Sequence, residues 1–208
     1  MTKKISRLQY IATTAMQVEQ ACKAGANWIQ LRLKNTPHDS FKTVALEAKD
    51  VCARYNAVLI INDNVALAAE INADGVHLGK EDMPPAEARN IIGNDKIIGC
   101  STNTLADIEK AVKEPIDYLG LGPYRFTTTR DKLNPILGLK GYQQIFKQIK
   151  DVGLIIPPIV GIGGVMLEDV VPLLQAGLYG IAVSGAISNA KNIELATAEF
   201  IAKIKLGL

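Results

Sequence analysis

The chain has 208 residues, of which 48% are hydrophobic and 5% aromatic, and 23 basic against 21 acidic residues leave a formal charge of +2. This composition predicts one globular domain over residues 1–208 and argues against electrostatic binding of nucleic acid or of a membrane surface. Three cysteines without paired spacing indicate reduced thiols, and the apolar run after the basic N-terminus is too short for a signal peptide or a membrane span. We therefore expect a cytoplasmic protein.

Short apolar runs recur along the chain and predict eight strands. They are Leu8–Thr13, Trp28–Lys34, Val58–Asp63, Gly75–Gly79, Ile97–Ser101, Tyr118–Gly122, Pro158–Gly164 and Gly180–Ser184. Helical patterns lie between them, the clearest over Phe41–Tyr55 behind an Asp39-Ser40 cap. The others are Met16–Ala24, Asn64–Ile71, Pro84–Ile92, Thr104–Val112, Leu139–Lys150, Leu167–Gln175 and Asn189–Ile204.

This alternation predicts an α/β fold, a compact single (β/α)8 TIM barrel with parallel strands. An open doubly wound sheet is the alternative. Such a sheet usually carries a Gly-rich turn after its first strand, and Thr13-Thr14-Ala15-Met16 is not one. The one long irregular segment, Gly122–Gly138, is of a length that is more often functional than idle in a compact domain.

The second predicted strand alternates apolar and polar side chains. Because successive side chains of a strand point to opposite faces, Gln30, Arg32 and Lys34 share one face and the apolar residues between them share the other. A solvated strand face would also alternate. In a sheet covered by helices on its outer side, however, two cations and an amide on the inner face indicate a binding site.

The active site of such a barrel lies where the strands end, so the residues that close each strand are considered together. They are Gln30 to Lys34, Asn62-Asp63, Lys80-Glu81-Asp82, Ser101, Thr127 to Arg130, Gly161-Ile-Gly-Gly164 and Ser184-Gly185. Cations, carboxylates and backbone amides are thus predicted to meet at one mouth.

Asp63 and Asp82 follow neighbouring predicted strands. Mg²⁺ commonly takes one or two carboxylates together with substrate phosphates. Either aspartate could instead cap the helix that follows it, which is the simpler interpretation of each residue alone. The cations Arg32, Lys34 and Arg130 favour the metal, because metal and cations together would form a site for a diphosphate leaving group.

The glycines after the seventh strand and the Ser184-Gly185 turn after the eighth occupy the place where many (β/α)8 enzymes hold a phosphate on backbone N–H groups. Tight packing between strand and helix would also require glycines. Thr127 to Thr129 offer hydroxyls, although a polar surface loop would contain them too. His38 and His77 have no evident base, nucleophile or metal partner in the sequence and are assigned to structure.

Seven segments, in order along nearly the whole chain, resemble the thiamine phosphate synthase family. They are Gln30-Leu-Arg-Leu-Lys34, Ile61-Asn-Asp-Asn64, Gly75-Val-His-Leu-Gly-Lys-Glu-Asp82, Gly99-Cys-Ser101, Gly120-Leu-Gly-Pro123 with Thr127 to Arg130, Val160-Gly-Ile-Gly-Gly164 and Ala182-Val-Ser-Gly-Ala-Ile187. The resemblance implies a transferase that joins a pyrimidine, 4-amino-5-hydroxymethyl-2-methylpyrimidine diphosphate, to a thiazole phosphate. The implied reaction is dissociative: diphosphate leaves, an aminopyrimidine-stabilised methylene cation forms, and the thiazole nitrogen captures it.

The resemblance also implies residue roles. It implies Mg²⁺ as cofactor, with Asp63 and Asp82 as its ligands. The implied diphosphate contacts are Arg32, Lys34, Asn62 and Arg130. The implied pyrimidine contacts are Gln30 and Ser101, and the thiazole phosphate contacts are Thr127, Thr129, Gly164, Ser184 and Gly185. The residues expected to act in catalysis are Arg32, Lys34, Ser101 and Arg130.

This chain departs from the family pattern at several positions. Arg130 stands where the family usually has Lys, Lys80 replaces a common Gln, Gly185 stands where Ser is frequent, and Tyr124–Phe126 is unusual. Two other functions are considered: a thiazole tautomerase of the same superfamily, which has little need for a metal and diphosphate cluster, and a non-catalytic barrel that binds thiamine precursors. The oligomeric state, with a homo-oligomer as one arrangement, stays open.

Overall fold

The computed structural model describes residues 5–126 and 135–208. These residues form eight strands: β1 Leu8–Ala12, β2 Trp28–Leu31, β3 Val58–Asn62, β4 Gly75–Leu78, β5 Ile97–Thr102, β6 Tyr118–Leu121, β7 Ile159–Ile162 and β8 Gly180–Val183. Their helices are α1 Ala15–Lys23, α2 His38–Arg54, α3 Val65–Glu70, α4 Pro85–Ile92, α5 Leu105–Ala111, α6 Gly138–Asp151, α7 Val170–Gln175, α8 Gly185–Ser188 and α9 Ile193–Leu206. None of the helices in these two ranges is long and apolar enough to cross a membrane.

The strands close into a barrel. Each pairs in parallel with the next along the chain, and β1 pairs with both β2 and β8, so that Tyr10 lies opposite Ile29 on one side and Val183 on the other. A sheet whose first and last strands are hydrogen-bonded has no edges. The predicted (β/α)8 barrel is therefore confirmed, and the open-sheet alternative is wrong.

Two layers of buried side chains stabilise the barrel. The larger layer lies between the strands and the surrounding helices, and the smaller one fills the barrel interior with residues that include Trp28, Ile60, Tyr118 and Val160. Trp28 and Tyr118 meet edge to face there, with ring centroids 4.8 Å apart. This division follows from the period-two alternation of each strand, which sends one set of side chains inward and the other outward.

The second strand is shorter than predicted. β2 ends at Leu31, although the backbone N–H of Arg32 still donates to Ala12 O at 2.9 Å. Beyond this bond the chain turns away, and Asn35 adopts a left-handed conformation with φ of 52°. Arg32 and Lys34 therefore lie on the segment that follows the strand, and not on the strand itself.

Two helix predictions were wrong in detail. Helix α2 begins at His38 with Pro37 at its N-cap, and no side chain caps it, so Asp39 lies within its first turn. The predicted Asn189–Ile204 helix is two helices, α8 and α9. Asn192 separates them, because its side chain accepts a hydrogen bond from Leu195 N at 2.9 Å and thereby starts a new helix.

Candidate active site

A cavity of about 580 Å³ opens at the carboxyl end of the barrel. Of the residues predicted for the site, those that line it are Gln30, Arg32, Asn62, Gly164, Ser184 and Gly185. A neighbouring depression is lined by Lys34, Asp63 and again Asn62, so Asn62 joins the two spaces. The structure thus places groups from the β2, β3, β7 and β8 ends around one mouth.

The three polar residues predicted for the second strand become more exposed along the chain, from Gln30 through Arg32 to Lys34. Gln30 is 1% exposed inside the barrel, where its Nε2 donates to Gln9 Oε1 at 3.0 Å. Arg32 is half-buried at the cavity wall, and Lys34 is exposed beside the second depression. A solvated strand face does not describe this arrangement, because Gln30 is inside the barrel and Arg32 lines a concave site.

Asp63 and Asp82 are close together, and neither caps a helix. Asn64 caps α3 by accepting from Leu67 N at 2.9 Å. Helix α4 follows Pro84 without a side-chain cap, while Asp82 Oδ2 accepts from Gly79 N at 2.5 Å. The capping interpretation of both aspartates was therefore wrong.

The backbone of Asp63 lies in the left-handed region, with φ of 60°. Aspartate and asparagine tolerate this conformation better than other residues with a side chain. Its N–H donates to His77 O on the neighbouring strand at 2.8 Å, which fixes the start of the turn. The turn therefore directs the chain away from β3 directly after the strand, at a position that suits aspartate.

The two carboxyl groups repel each other when both are ionised. Partial burial and the hydrogen-bonded Asp82 carboxyl raise the pKa of Asp63 from 3.8 to about 6, against the lowering effects of Asn62 and of the Arg32 charge. A proton shared between two carboxyl groups marks a place where a cation would be favourable. Within residues 5–126 and 135–208, no three His, Cys, Asp or Glu side chains converge on a metal site, so the pair offers two carboxylates.

The turn after β7 depends on two glycines. Gly163 and Gly164 have φ of 92° and 71°, a conformation that other residues rarely adopt. The space above them is also closed: a Cβ on Gly163 would lie 2.7 Å from Pro123 Cβ, and one on Gly164 would lie 2.9 Å from Arg125 Cβ. The glycines thus allow the segment after β6 to cover the turn directly.

An ion pair holds this segment in place. Arg125 donates to both carboxylate oxygens of Asp169, which also accepts from Tyr124 Oη at 3.2 Å and from Met166 N at 2.8 Å. Asp169 is 5% exposed, and Arg125 N donates to Gly163 O at 2.8 Å. The unusual Tyr124–Phe126 segment was recognised in the sequence, but the clamp was not predicted, because its partners are 44 residues apart.

His77 has partners that its sequence position did not reveal. It lines the cavity, its Nδ1 lies 2.8 Å from Tyr118 Oη, and its Nε2 lies 3.0 Å from Ser101 Oγ. Ser101, which was predicted at the site, is 7% exposed beneath His77. His38 instead forms an exposed pair with Glu70, at 3.1 Å, and lines neither the cavity nor the neighbouring depression.

The predictions for Thr127, Thr129 and Arg130 concern residues 127–134, which lie outside the described residues. Their roles at the thiazole phosphate and diphosphate therefore stay predictions. The described residues on either side, Phe126 and Ile136, are both exposed.

Comparison with known proteins identifies the family. A family model described as thiamine monophosphate synthase matches residues 4–187. A thiamine-phosphate synthase of Phocaeicola vulgatus is 48% identical over 83% of this chain and 82% of its own length, and one of Flavobacterium johnsoniae is 49% identical over 88% and 89%. The solved thiamine phosphate pyrophosphorylase from Pyrococcus furiosus is 31% identical, covers 97% of this chain and 96% of its own, and superimposes with a TM-score of 0.85. The chain therefore belongs to the thiamine monophosphate synthase family, whose members are transferases.

Proposed function

We propose that the chain joins 4-amino-5-hydroxymethyl-2-methylpyrimidine diphosphate to a thiazole phosphate, releasing diphosphate and thiamine phosphate. The observation that carries the proposal is the shared mouth: Arg32 and Asn62 line the same cavity as the Gly164 turn and the start of α8 at Gly185. A reaction between two phosphorylated substrates requires both anions to be held at once, with the pyrimidine methylene carbon and the thiazole nitrogen between them.

The site must first stabilise the diphosphate as it leaves. Arg32 and Lys34 supply positive charge, and Asn62 supplies an amide between them, beside the Asp63 carboxyl. Preorganised charges of this kind stabilise the leaving group as its negative charge develops. Arg130, which the family resemblance adds to this group, completes the set of proposed contacts.

Asp63 and Asp82 fit Mg²⁺, because two adjacent carboxyl groups, one with a raised pKa, present hard oxygen ligands and too much negative charge for each other. Bound there, the ion would neutralise charge on the leaving diphosphate. The chain's own contribution is to hold the two carboxyl groups together: the Gly79 N–H holds Asp82, and the backbone turn holds Asp63 in the depression beside the cavity.

The capture step requires a dry and ordered site. We assign Gln30 and Ser101 to the pyrimidine, and Gly164, Ser184 and Gly185, with Thr127 and Thr129, to the thiazole phosphate. Ile11, Ile162 and Ala182 supply apolar wall between these two groups. An apolar wall around a methylene cation limits its hydrolysis to the pyrimidine alcohol and so favours coupling.

The alternatives explain fewer of these features. A thiazole tautomerase would need the phosphate turn but not the charged groups at Arg32, Lys34 and Asp63, and a barrel that only binds precursors would need no leaving-group site.

We also place the protein in the cytoplasm, since Cys22, Cys52 and Cys100 are buried free thiols.

A single assay tests the function. We expect thiamine phosphate and diphosphate to appear in equal amounts when the chain is given both substrates and Mg²⁺, and neither when one substrate is omitted. Isomerisation of a thiazole carboxylate phosphate without the pyrimidine would indicate the tautomerase. Calorimetric binding of both substrates without turnover would indicate a binding protein.

The carboxyl pair predicts pH-dependent stabilisation by Mg²⁺. Folding raises the pKa of Asp63 from 3.8 to about 6, so the folded chain holds more protons in that interval and loses stability as pH rises through it; the loss is complete above about pH 6. Mg²⁺ should offset this loss only where the carboxyl is ionised. At a concentration about a hundredfold above its dissociation constant, Mg²⁺ should raise Tm by about 5 °C at pH 8 and by much less at pH 5.

Thermal denaturation with and without Mg²⁺ at the two pH values measures this effect. Asp63→Asn serves as the matched variant, because asparagine tolerates the left-handed backbone but cannot ionise. Equal Mg²⁺ shifts at both pH values, or an unchanged shift in Asp63→Asn, would contradict the metal assignment.

A further inference from the structure

A continuous chain of five hydrogen-bonded side chains crosses the barrel interior. Gln30 Nε2 donates to Gln9 Oε1 at 3.0 Å, and Gln9 Nε2 donates to Tyr118 Oη at 2.9 Å. Tyr118 Oη lies 2.8 Å from His77 Nδ1, and His77 Nε2 lies 3.0 Å from Ser101 Oγ. All five residues are at most 7% exposed. The two ends of this interior chain are the residues assigned above to the pyrimidine.

Two glycines make room for the centre of the interior chain. A Cβ on Gly99 would lie 2.0 Å from Tyr118 Cζ, and a Cβ on Gly120 would lie 3.2 Å from His77 Cε1. Tyr118 therefore lies across the barrel only because Gly99 on β5 has no side chain, while Trp28 packs against the other side of its ring. Glycines thus stand at two core positions, Gly99 and Gly120, where a larger residue would collide with Tyr118 or His77.

One histidine tautomer gives all four hydrogen bonds the same direction. Gln9 gives an N–H to the phenol oxygen of Tyr118, and the direction of the Tyr118–His77 bond follows from the tautomer of His77. In the tautomer with the ring proton on Nε2, the phenol donates to Nδ1 and Nε2 donates to Ser101 Oγ, so that every bond runs from Gln30 towards Ser101. Burial raises the pKa of Tyr118, which keeps the phenol protonated. Buried polar chains of this kind fix a single orientation for each member.

We propose that Tyr118 and His77 are positioning residues for the pyrimidine: Tyr118 fixes the Gln30 amide through Gln9 and fixes the Ser101 hydroxyl through His77. The inference rests on the proposed function, because it takes Gln30 and Ser101 as the pyrimidine contacts. Tyr118 is completely buried, so it acts through its neighbours. Of the interior chain, Gln30 and His77 line the cavity, and Ser101, which keeps 7% of its surface exposed, is bonded to His77. The thiazole phosphate turn at Gly164 has no member in the interior chain.

Tyr118→Phe tests this role, since it removes the hydroxyl and keeps the ring between Trp28 and Gly99. We expect the KM for the pyrimidine diphosphate to rise roughly tenfold, as fits the loss of a buried hydrogen bond that leaves its partners unsatisfied, with the KM for the thiazole phosphate unchanged. Tyr142→Phe is the matched control. Tyr142 is also fully buried, but its hydroxyl donates to Leu121 O away from the interior chain, so both KM values should stay unchanged.

A double-mutant cycle separates positioning from general stability. If Tyr118 acts through Ser101, then Tyr118→Phe should have less effect on the KM for the pyrimidine diphosphate in a Ser101→Ala background than in the unmodified chain. Fully multiplicative effects of the two changes would overturn the inference. So would equal rises of both KM values in Tyr118→Phe. If Tyr118→Phe does not fold, Gln9→Leu breaks only the Gln30 arm of the interior chain. It should still raise the KM for the pyrimidine diphosphate and leave the KM for the thiazole phosphate unchanged, and its double-mutant cycle is run against Gln30→Ala, where fully multiplicative effects would overturn the inference.

The two assays together separate a failure of the positioning role from a failure of the proposed function. If the unmodified chain forms no thiamine phosphate, the proposed function fails. If the unmodified chain couples its substrates and Tyr118→Phe behaves like Tyr142→Phe, only the positioning role fails.

Discussion

Thiamine phosphate formation should fall by about a thousandfold when Asp63 is replaced by asparagine, because a bound metal ion contributes several kcal/mol of charge stabilisation to a leaving diphosphate. The substitution keeps the size of the side chain and suits the backbone, whose φ is 60°. It removes one of the two carboxylates that would hold the ion. Steady-state coupling of both substrates at saturating Mg²⁺ measures the loss.

Two controls accompany this variant. Asp39→Asn removes one negative charge from the exposed first turn of α2 and should leave turnover unchanged. Chelation of the unmodified chain should abolish turnover, and excess Mg²⁺ should restore it. Turnover of Asp63→Asn within a few-fold of the unmodified chain, or full activity in chelator with no metal in the protein, would overturn the assignment of Asp63 and Asp82.

The second large effect is expected at Arg32. Arg32→Ala should reduce turnover roughly a hundredfold or more, because a preorganised cation at the leaving group acts mainly in the transition state. Arg32→Lys should recover part of the rate, since it keeps the charge but loses the planar fork that can hold two phosphate oxygens. The fold should survive both changes, because Arg32 follows β2 and is only half-buried.

Arg54→Ala is the matched control for Arg32. Arg54 is an exposed arginine on α2 whose guanidinium pairs with Glu19 at 3.4 Å, on the outer surface of the barrel. Its removal should leave the rate of diphosphate release unchanged. Equal rates for Arg32→Ala and Arg54→Ala would mean that Arg32 is only a solvent-facing charge and does not stabilise the leaving diphosphate.

The barrel could be predicted because its strands carry a strong local signal. Gln30 alternates with apolar neighbours, and a strand has only two faces, so its inward direction followed from this spacing together with the predicted cover of helices on the outer side of the sheet. The ends of strands and helices were harder to predict from the sequence. The turn at Asn35 and the restart of the helix at Asn192 depend on a left-handed residue and on one cap, and the apolar pattern continues across both.

The site was predictable only where its groups follow strands. Asp63 and Asp82 could be placed at the mouth, yet the choice between metal ligand and helix cap needed the backbone, which assigns the α3 cap to Asn64. The contact of Tyr118 with His77 joins residues 41 apart, through the space left by Gly99. No local pattern encodes a contact across a barrel, and for that reason the partners of His77 were missed.

The Arg125–Asp169 clamp restricts how this scaffold can be recombined. An engineer who transplants the connection after β6 from a relative would remove Tyr124 and Arg125 but leave Asp169, which is 5% exposed, with only the Met166 N–H as a partner among these contacts. A buried charge stripped of its partner typically destabilises a protein by about 3–5 kcal/mol. The connection after β6 and the turn after β7 are therefore one exchangeable module, and chimeras should take both segments from the same parent.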